Sequence, residues 1–226
     1  GYFDLTDTVR LVAGARYSDE KKKYEYQRIR PANTTLRNEK TFTSTNPRFG
    51  VEWRPQDDLL VYATATSGFK SGGFNATNPL DDFNPEKVWA YEAGAKTRYL
   101  DRRGRIAASA FYYDYTDIQV LQYVVELVGG VSQLRPNITN GGQATLYGVD
   151  LDTDFAVTEN LTVGGGLAYL HSEFGSAIFC DPFYGACPSA TGANNFNVEG
   201  NSLARAPEWT GNAYVEYILP LPFPGQ

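Results

Sequence analysis

The fold is decided by one stretch of the sequence, in which two amphipathic strands flank a loop rich in glycine, asparagine and proline. Residues 59–96 read LLVYATATSGFKSGGFNATNPLDDFNPEKVWAYEAGAK. In the second strand, alternate positions carry Trp89, Tyr91 and small residues, and the positions between them include Glu92 and Lys96. Strict alternation of this kind predicts a β-strand with one apolar and one polar face. The apolar face meets either a protein core or a lipid bilayer.

The composition of the chain indicates a β-rich protein that does not bind nucleic acid. Of its 226 residues 14% are aromatic, with 16 tyrosines, and aromatic side chains fit a pleated sheet. The formal net charge is −6, whereas binding to nucleic-acid phosphates needs clustered Lys and Arg. No apolar run approaches the roughly 18 residues of a transmembrane helix. The sequence begins without Met or a signal-peptide pattern, so we interpret residues 1–226 as a piece of a longer protein.

The alternation recurs along the chain and predicts eight strands whose connections are alternately long and short. The long connections are 19–40, 68–85, 120–137 and 175–206, and the short ones are 54–58, 101–104 and 156–160. Residues 19–40 are interpreted as an exposed hairpin tip or a long loop. The strand after the third long connection is predicted at 138–155, and the alternation around Phe111–Tyr113 does not assign the faces. In an antiparallel sheet, this order places every long loop at one edge and every short turn at the other. Outer-membrane barrels sort their loops in this way, with short periplasmic turns and long extracellular loops.

Aromatic residues near the strand ends provide a second signal for a membrane barrel, because such barrels carry aromatic girdles at both interfaces. We therefore predict an all-β fold, an antiparallel transmembrane β-barrel, present here as a partial barrel of about eight strands. A soluble β-sandwich whose aromatic residues fill a core is the alternative. The aromatic residues near strand ends on apolar faces are Tyr17, Trp53, Trp89, Tyr99, Tyr169, Trp209 and Tyr217.

The sequence offers little that could carry catalysis. His171 is the only histidine, and we find neither a nucleophile motif nor paired carboxylates in a convergent site, so we predict no enzyme, no catalytic residue, no cofactor and no metal site. Asp150, Asp152 and Asp154 alternate along a predicted strand, which gives a spaced row rather than a calcium cage.

The two cysteines, Cys180 and Cys187, lie close together in the loop sequence FCDPFYGACP. Since there are no others in the chain, we predict a disulfide between them, formed in an oxidising compartment.

Several stretches of the sequence resemble the β-barrel of TonB-dependent outer-membrane receptors, the class that includes receptors for iron–siderophore complexes. The resemblance covers nearly all 226 residues, and the combination of SGFKSGGFN, PEKVWAYEAGAK and FYYDYTDIQV is specific, although each motif alone is weak. The matching stretches are GARYSDEKK (14–22), PRFGVEWRPQDDLLVYATATSGFKSGGFN (47–75), FNPEKVWAYEAGAKTRYLDRRGRIAASAFYYDYTDIQV (83–120), NGGQATLYGVDLD (140–152) and APEWTGNAYVEY (206–217).

The resemblance implies a receptor larger than this chain, located in the outer membrane of a Gram-negative bacterium. Its members hold an N-terminal plug domain inside a barrel of about 22 strands. A TonB box couples the plug to the energised inner membrane. We expect residues 1–226 to form one part of that barrel, with the plug, the TonB box and the C-terminal strands outside it. The implied partners are outer-membrane lipid, the plug of the same full-length protein, TonB and a ligand.

The implied function is TonB-dependent active transport of a scarce nutrient, with a ferric siderophore as the leading candidate. Cobalamin, an oligosaccharide or another metal chelate remains an alternative ligand. A passive pore or adhesin-type barrel and a soluble β-sandwich that binds carbohydrate are the alternatives from other classes.

Ligand contacts are expected in the long loops, because cationic and aromatic groups suit anionic, ring-bearing ferric chelates. Charged residues on the polar faces of the strands are expected to face the lumen and to contact the plug or water. The candidate ligand contacts are Phe69, Lys70, Phe74, Asn75, Tyr123, Arg135, Phe183 and Tyr184, and the candidate lumen-facing residues are Glu92, Lys96, Arg98, Asp150 and Glu216.

Overall fold

The computed structural model describes residues 1–28, 34–75, 78–128, 130–180 and 195–220, and these residues form β-strands and no helix. In this part of the chain, no helix is long and apolar enough to cross a membrane. The strands are β1 (Tyr2–Asp4), β2 (Val9–Arg28), β3 (Thr34–Gln56), β4 (Leu59–Lys70), β5 (Gly73–Asn75), β6 (Asn78–Phe83), β7 (Glu86–Tyr99), β8 (Gly104–Thr116), β9 (Gln119–Val128), β10 (Val131–Asn140), β11 (Ala144–Ala156), β12 (Leu161–Phe174), β13 (Ile178–Cys180), β14 (Asn195–Asn197) and β15 (Trp209–Tyr217).

Nine strands form one antiparallel sheet in the order β1-β2-β3-β4-β7-β8-β11-β12-β15, and the remaining strands pair as β5–β6, β9–β10 and β13–β14. The eight predicted strands are all present in the large sheet, and β1, which pairs with β2 at its edge, is an addition. The antiparallel all-β prediction is therefore confirmed, and the barrel is partial, with β1 and β15 at its two edges.

The sheet has two chemically different faces, as the alternation predicts. On one face, Ala93 of β7 lies opposite Ala63 of β4 and Ala110 of β8. On the same face the large aromatic residues are open to solvent, with Tyr91 46% exposed. The buried hydrophobic side chains of the described residues are Phe42, Ala144, Ala177 and Val198, none of which lies in the middle of the large sheet. A soluble sandwich would instead bury its aromatic residues in a core.

The short turns lie at one edge of the sheet, as predicted. The turn after β7 is tight enough to hold Leu100, Asp101 and Arg102 at positive φ angles of 52°, 54° and 67°. It is linked to the preceding turn by Arg102, whose Nε donates to Asp58 Oδ1 at 3.0 Å.

Of the two interpretations of residues 19–40, an exposed hairpin tip or a long loop, the structure has the hairpin, because most of the stretch continues the two adjoining strands. β2 extends to Arg28 and β3 begins at Thr34, so residues 19–28 and 34–44 form a two-stranded extension of the sheet, here called the arm. Its strands carry charged residues on neighbouring positions, and Lys21 and Lys23 pair with Glu39 across the ladder. Hydrophobic alternation is absent because neither face of the arm has to be apolar.

The predicted connection at 120–137 and the strand predicted from Ile138 also need correction. β9 and β10 form a ten-residue ladder between Gln119–Val128 and Val131–Asn140. β11 starts only at Ala144, and β8 ends at Thr116, followed by Asp117 at a positive φ of 55°. Valine and leucine occupy both faces of this hairpin, so the sequence shows no period of two there.

Candidate functional site

The edge of the sheet opposite the short turns carries the arm and the three small strand pairs, and we call this assembly the rim. It comprises the arm together with residues 71–75 and 78–85, 117–128 and 130–143, and 175–180 and 195–206. Four of the candidate ligand contacts lie in the described parts of the rim, and Phe69 and Lys70 lie directly below it, at the end of β4.

The arm is joined to the β5–β6 pair around one buried aromatic ring. Phe42 is 3% exposed, and the Nζ atoms of Lys22 and Lys40 lie 5.8 and 5.4 Å from its ring centroid. Lys22 Nζ donates to the Gly72 carbonyl at 2.7 Å, and Lys40 forms an ion pair with Asp82 of β6. These contacts hold the glycine-rich segment against the arm through cation–π and charge-assisted interactions.

The β5–β6 pair is joined to the β9–β10 hairpin by two asparagine side chains. Asn75 accepts a hydrogen bond from the Ile138 amide at 2.7 Å and donates to the Ile138 carbonyl at 3.0 Å. Asn140 accepts from the Asn84 amide at 2.7 Å and donates to the Asn84 carbonyl at 3.0 Å. Each side chain thus bonds to the backbone as a neighbouring strand would.

Gln119, at the start of β9, adds a third link between the same segments. Its amide donates to Glu86 Oε2 at 2.7 Å, and its side-chain Nε2 donates to the Ser71 carbonyl at 3.0 Å and the Asn84 carbonyl at 3.1 Å. The segments around β5–β6 and β9–β10 are therefore connected by side-chain hydrogen bonds and not by packing alone.

The candidate ligand contacts differ in how accessible the structure makes them. Lys70 is exposed at the end of β4, Tyr123 is 49% exposed on β9, and Phe74 is half-buried, 6.1 Å from the ring of Tyr24. Asn75 is only 3% exposed. Arg135 is half-buried and donates to Gln133 Oε1 at 2.5 Å.

Three predicted residues, Phe183, Tyr184 and Cys187, lie outside the described residues. Their ligand contacts and the disulfide between Cys180 and Cys187 stay predictions. Phe69 is half-buried and pairs across the ladder with Lys87.

The polar face of the sheet carries a groove of about 510 Å³ whose wall includes two of the predicted charged residues. Glu92 accepts a hydrogen bond from the Tyr62 hydroxyl at 2.5 Å, and Lys96 Nζ lies 5.5 Å above the Tyr62 ring. Arg48 and Glu52 line the same groove. The arrangement is polar and open to solvent, which suits a surface that meets water or another polar part of the protein.

The other predicted charged residues share this face by register. Asp150 of β11 lies opposite Ser109, which in turn lies opposite Gly94, between Glu92 and Lys96. Arg98 lies opposite Arg105, whose Nε donates to Asp154 at 2.8 Å. That carboxylate also accepts a hydrogen bond from Tyr214, two residues before Glu216 on β15.

The opposite face carries two belts of aromatic contacts separated by small and aliphatic residues. In the belt near the rim, the ring centroids of Trp89 and Tyr91 lie 6.0 Å apart, and those of Tyr169 and Trp209 lie 5.0 Å apart. In the belt near the short turns, Tyr99 stacks on Phe155 at 6.3 Å. Trp89 and Tyr99 are separated by ten residues along β7, which is about 33 Å of strand, or about 25 Å of height at the tilt usual in such barrels.

The arm continues above the rim-side belt and is polar. Lys21 hydrogen-bonds the carboxylate of Glu39, and this bond, together with the charges of Lys21 and Lys23, lowers the pKa of Glu39 below its usual value of 4.5. The change from aromatic belt to ion pairs marks where the sheet leaves an apolar medium for water.

These features together define the wall of a transmembrane β-barrel: one curved antiparallel sheet with an apolar outer band, aromatic belts, a polar inner face and little buried core. A family model described as "TonB dependent receptor-like, beta-barrel" matches residues 1–224. The chain belongs to this family, and it lies in the outer membrane of a Gram-negative bacterium.

Solved structures and characterised relatives agree with this assignment. The structure is similar to the ferric yersiniabactin uptake receptor of Yersinia pestis, with a TM-score of 0.72, 18% identity, and 98% of this chain aligned to 30% of that one. It is similar to the siderophore receptor PiuA of Acinetobacter baumannii, with a TM-score of 0.72, 17% identity, and 96% of this chain aligned to 30% of that one. The metal-pseudopaline receptor of Pseudomonas aeruginosa is 29% identical over 136 residues, which are 60% of this chain and 18% of that receptor.

The chain spans about 30% of the receptors it resembles in structure and 18% of the relative it matches in sequence. Its family and fold are those of outer-membrane receptors and not those of an enzyme.

Proposed function

We propose that the full-length protein is a transporter that takes up a metal chelate across the outer membrane, with a ferric siderophore as the first candidate ligand. The observation that carries the proposal is the match of the receptor family over residues 1–224. Similar proteins support the ligand class, since they include receptors for metal-pseudopaline and ferric yersiniabactin and a receptor bound to pyoverdine.

We assign ligand recognition to the rim and to the end of β4 directly below it. Lys70 and Arg135 provide positive charge for an anionic chelate. Phe74 and Tyr123 provide rings for aromatic chelating groups. Phe69 is left out of this set, because the register places it on the same face as Ser67 and Trp89, away from the polar face. The predicted contacts of Phe183 and Tyr184 belong to the same proposal. Asn75 is not among these contacts, because its side chain is buried and hydrogen-bonded to Ile138.

The remaining partners follow from the two faces of the wall. The outer band contacts outer-membrane lipid, and the polar face, with Glu92, Lys96, Arg98, Asp150 and Glu216, lines the lumen and meets the plug domain of the full-length protein. TonB engages a region of the protein outside residues 1–226 and supplies the energy that moves the plug.

Iron-limited growth tests the proposal. A strain lacking the intact gene is compared with the parent on ferric yersiniabactin, ferric alcaligin, ferripyoverdine and a metal-pseudopaline complex. We expect the deletion to abolish growth on at least one of these chelates and the intact gene to restore it. Equal growth of the two strains on the whole panel would contradict the assignment to these chelates and favour cobalamin, an oligosaccharide or a different metal complex.

A pair of lysines separates a role in binding from a general effect of charge. Lys70 and Lys87 are both exposed and lie on adjoining strands, Lys70 opposite Glu86 and Lys87 opposite Phe69. We expect Lys70→Gln to raise the chelate concentration needed for half-maximal growth, and Lys87→Gln to leave it unchanged. Equal effects of the two substitutions would remove Lys70 from the binding site.

A further inference from the structure

The two asparagines that join the β5–β6 pair to the β9–β10 hairpin are arranged reciprocally. Asn75 belongs to the first segment and bonds the backbone of Ile138 in the second. Asn140 belongs to the second segment and bonds the backbone of Asn84, which directly follows the first. Each link uses both the carbonyl oxygen and the amino group of the side chain, so the two segments are held at two points by four hydrogen bonds of 2.7 to 3.0 Å.

The chemistry of these links requires a carboxamide side chain. A carboxamide presents the same donor and acceptor as a peptide group, and it can therefore pair with both backbone groups of one residue. At Asn75 the link is buried, with 3% of the residue exposed, so loss of the side chain would leave the Ile138 amide and carbonyl without these partners. Unsatisfied buried backbone groups are costly, which makes the link stiff as well as specific.

We propose that Asn75 and Asn140 are positioning residues that make the two segments one rigid unit of the rim. Phe74 on β5 and Tyr123 on β9 then face a ligand as a fixed pair and not as parts of two independent loops. The ligand side of this inference rests on the proposed function, whereas the rigid unit does not. Pre-organisation of this kind lowers the entropic cost of binding a ligand between the two segments.

Hydrogen exchange in the full-length receptor, purified in detergent and without any ligand, tests the rigid unit. The decisive amides are those of Ile138 and Asn84, because each is held by a different asparagine. If the two segments form a single unit, Asn75→Ala speeds exchange of the Asn84 amide in addition to that of Ile138. Likewise, Asn140→Ala speeds exchange of the Ile138 amide in addition to that of Asn84. We expect these cross-effects to reach about fivefold to thirtyfold, the factor that corresponds to one or two neutral hydrogen bonds.

Two controls separate the cross-effect from general damage. Asn84→Ala removes an exposed asparagine side chain that forms no hydrogen bond with the described residues, while keeping the backbone that Asn140 binds, and it should leave both amides protected. Amides in β7 should keep their protection in every variant, which shows that the barrel wall is intact. If each substitution affects only the amide that it contacts directly, the two links are independent and the proposal is wrong.

Asn75→Asp provides a second variant with nearly the same shape. The aspartate keeps an acceptor for the Ile138 amide but replaces the donor to the Ile138 carbonyl with a negatively charged oxygen. We expect it to loosen Asn84 as Asn75→Ala does. Unchanged exchange at Asn84 in both Asn75 variants would overturn the proposal even if Ile138 itself exchanges faster.

Uptake measurements test the ligand side separately. For a chelate of the panel that the receptor transports, Asn75→Ala should raise the concentration for half-maximal uptake and leave the maximal rate unchanged. An unchanged half-maximal concentration would contradict the positioning role. If no chelate of the panel is transported by the wild-type receptor, the proposed function fails, and the exchange experiment still decides whether the two segments form one unit.

Discussion

A single charge placed at the middle of the apolar band should destabilise the barrel by an amount that depends on depth. Ala93 lies between the aromatic belts marked by Trp89 and Tyr99, and its neighbours across the ladder are Ala63 and Ala110. The band is about 25 Å high and Ala93 lies near its centre, where an arginine on the lipid face costs about 2–4 kcal/mol.

Ser67 provides the matched control for this substitution. It lies on the same face of the neighbouring strand, opposite Trp89, and therefore at the level of the rim-side belt. There an arginine reaches the headgroups, and the expected cost is about 0–1 kcal/mol. The two variants introduce the same side chain and differ mainly in depth.

Guanidinium unfolding of the full-length receptor in lipid vesicles, followed by tryptophan fluorescence, measures the difference. We expect Ala93→Arg to lower the free energy of unfolding by about 1–4 kcal/mol more than Ser67→Arg does. Equal costs for the two variants, or a neutral Ala93→Arg, would refute the assignment of this face to lipid.

Two further predictions concern the rim. A Cβ at Gly72 would lie 2.5 Å from the ring of Phe42, so Gly72→Ala should loosen the arm and speed exchange of its amides. Gly14→Ala is the control, because a Cβ at Gly14 meets open space and should leave this exchange unchanged. Equal exchange of the arm amides in both variants would contradict this packing. The pKa of Glu39 is lowered in the folded arm, so the ion pair between Glu39 and Lys21 contributes stability above pH 4.5. This contribution is lost as the pH falls through the lowered pKa. Protection of the arm amides from exchange should therefore persist at pH 5 and decline only below about pH 4.5. Lys21→Gln should weaken this pH dependence. A decline that is already complete at pH 6 would contradict a role of the Glu39–Lys21 ion pair.

The wall of the barrel could be predicted from the sequence because lipid and water impose opposite requirements on its two faces. Trp89 and Tyr91 occupy alternate positions of β7, and Glu92 lies on the other face of the strand, as the alternation predicts. The order of long and short connections likewise predicted which edge carries the rim. Only around Phe111–Tyr113 did the alternation leave the faces open, since three aromatic residues follow one another. The structure stacks Phe111 on Tyr113 at 5.0 Å and places Tyr112 beside Tyr91 on the apolar face.

The rim could not be predicted to the same extent, because its strands do not have one face towards lipid and the other towards water. The arm lacks an apolar face, and the β9–β10 hairpin has valine or leucine on both faces, so neither has the period that identifies a strand. The link between Asn75 and Ile138 joins residues 63 positions apart, and nothing local in the sequence marks it. For the same reason, Phe42, Gln119 and Asn140 gave no signal as rim residues, and the strand predicted at 138–155 includes Gly141 and Gly142, which lie between β10 and β11 in the structure.

Uptake of radioiron tests the central claim, that this wall belongs to an energy-dependent receptor for a metal chelate. Cells with and without the intact full-length gene are given each labelled ferric chelate of the panel, before and after a protonophore collapses the proton-motive force. We predict uptake of at least one chelate that requires both the gene and the proton-motive force. Gene-dependent uptake that continues unchanged after the protonophore would identify a passive pore and contradict the account.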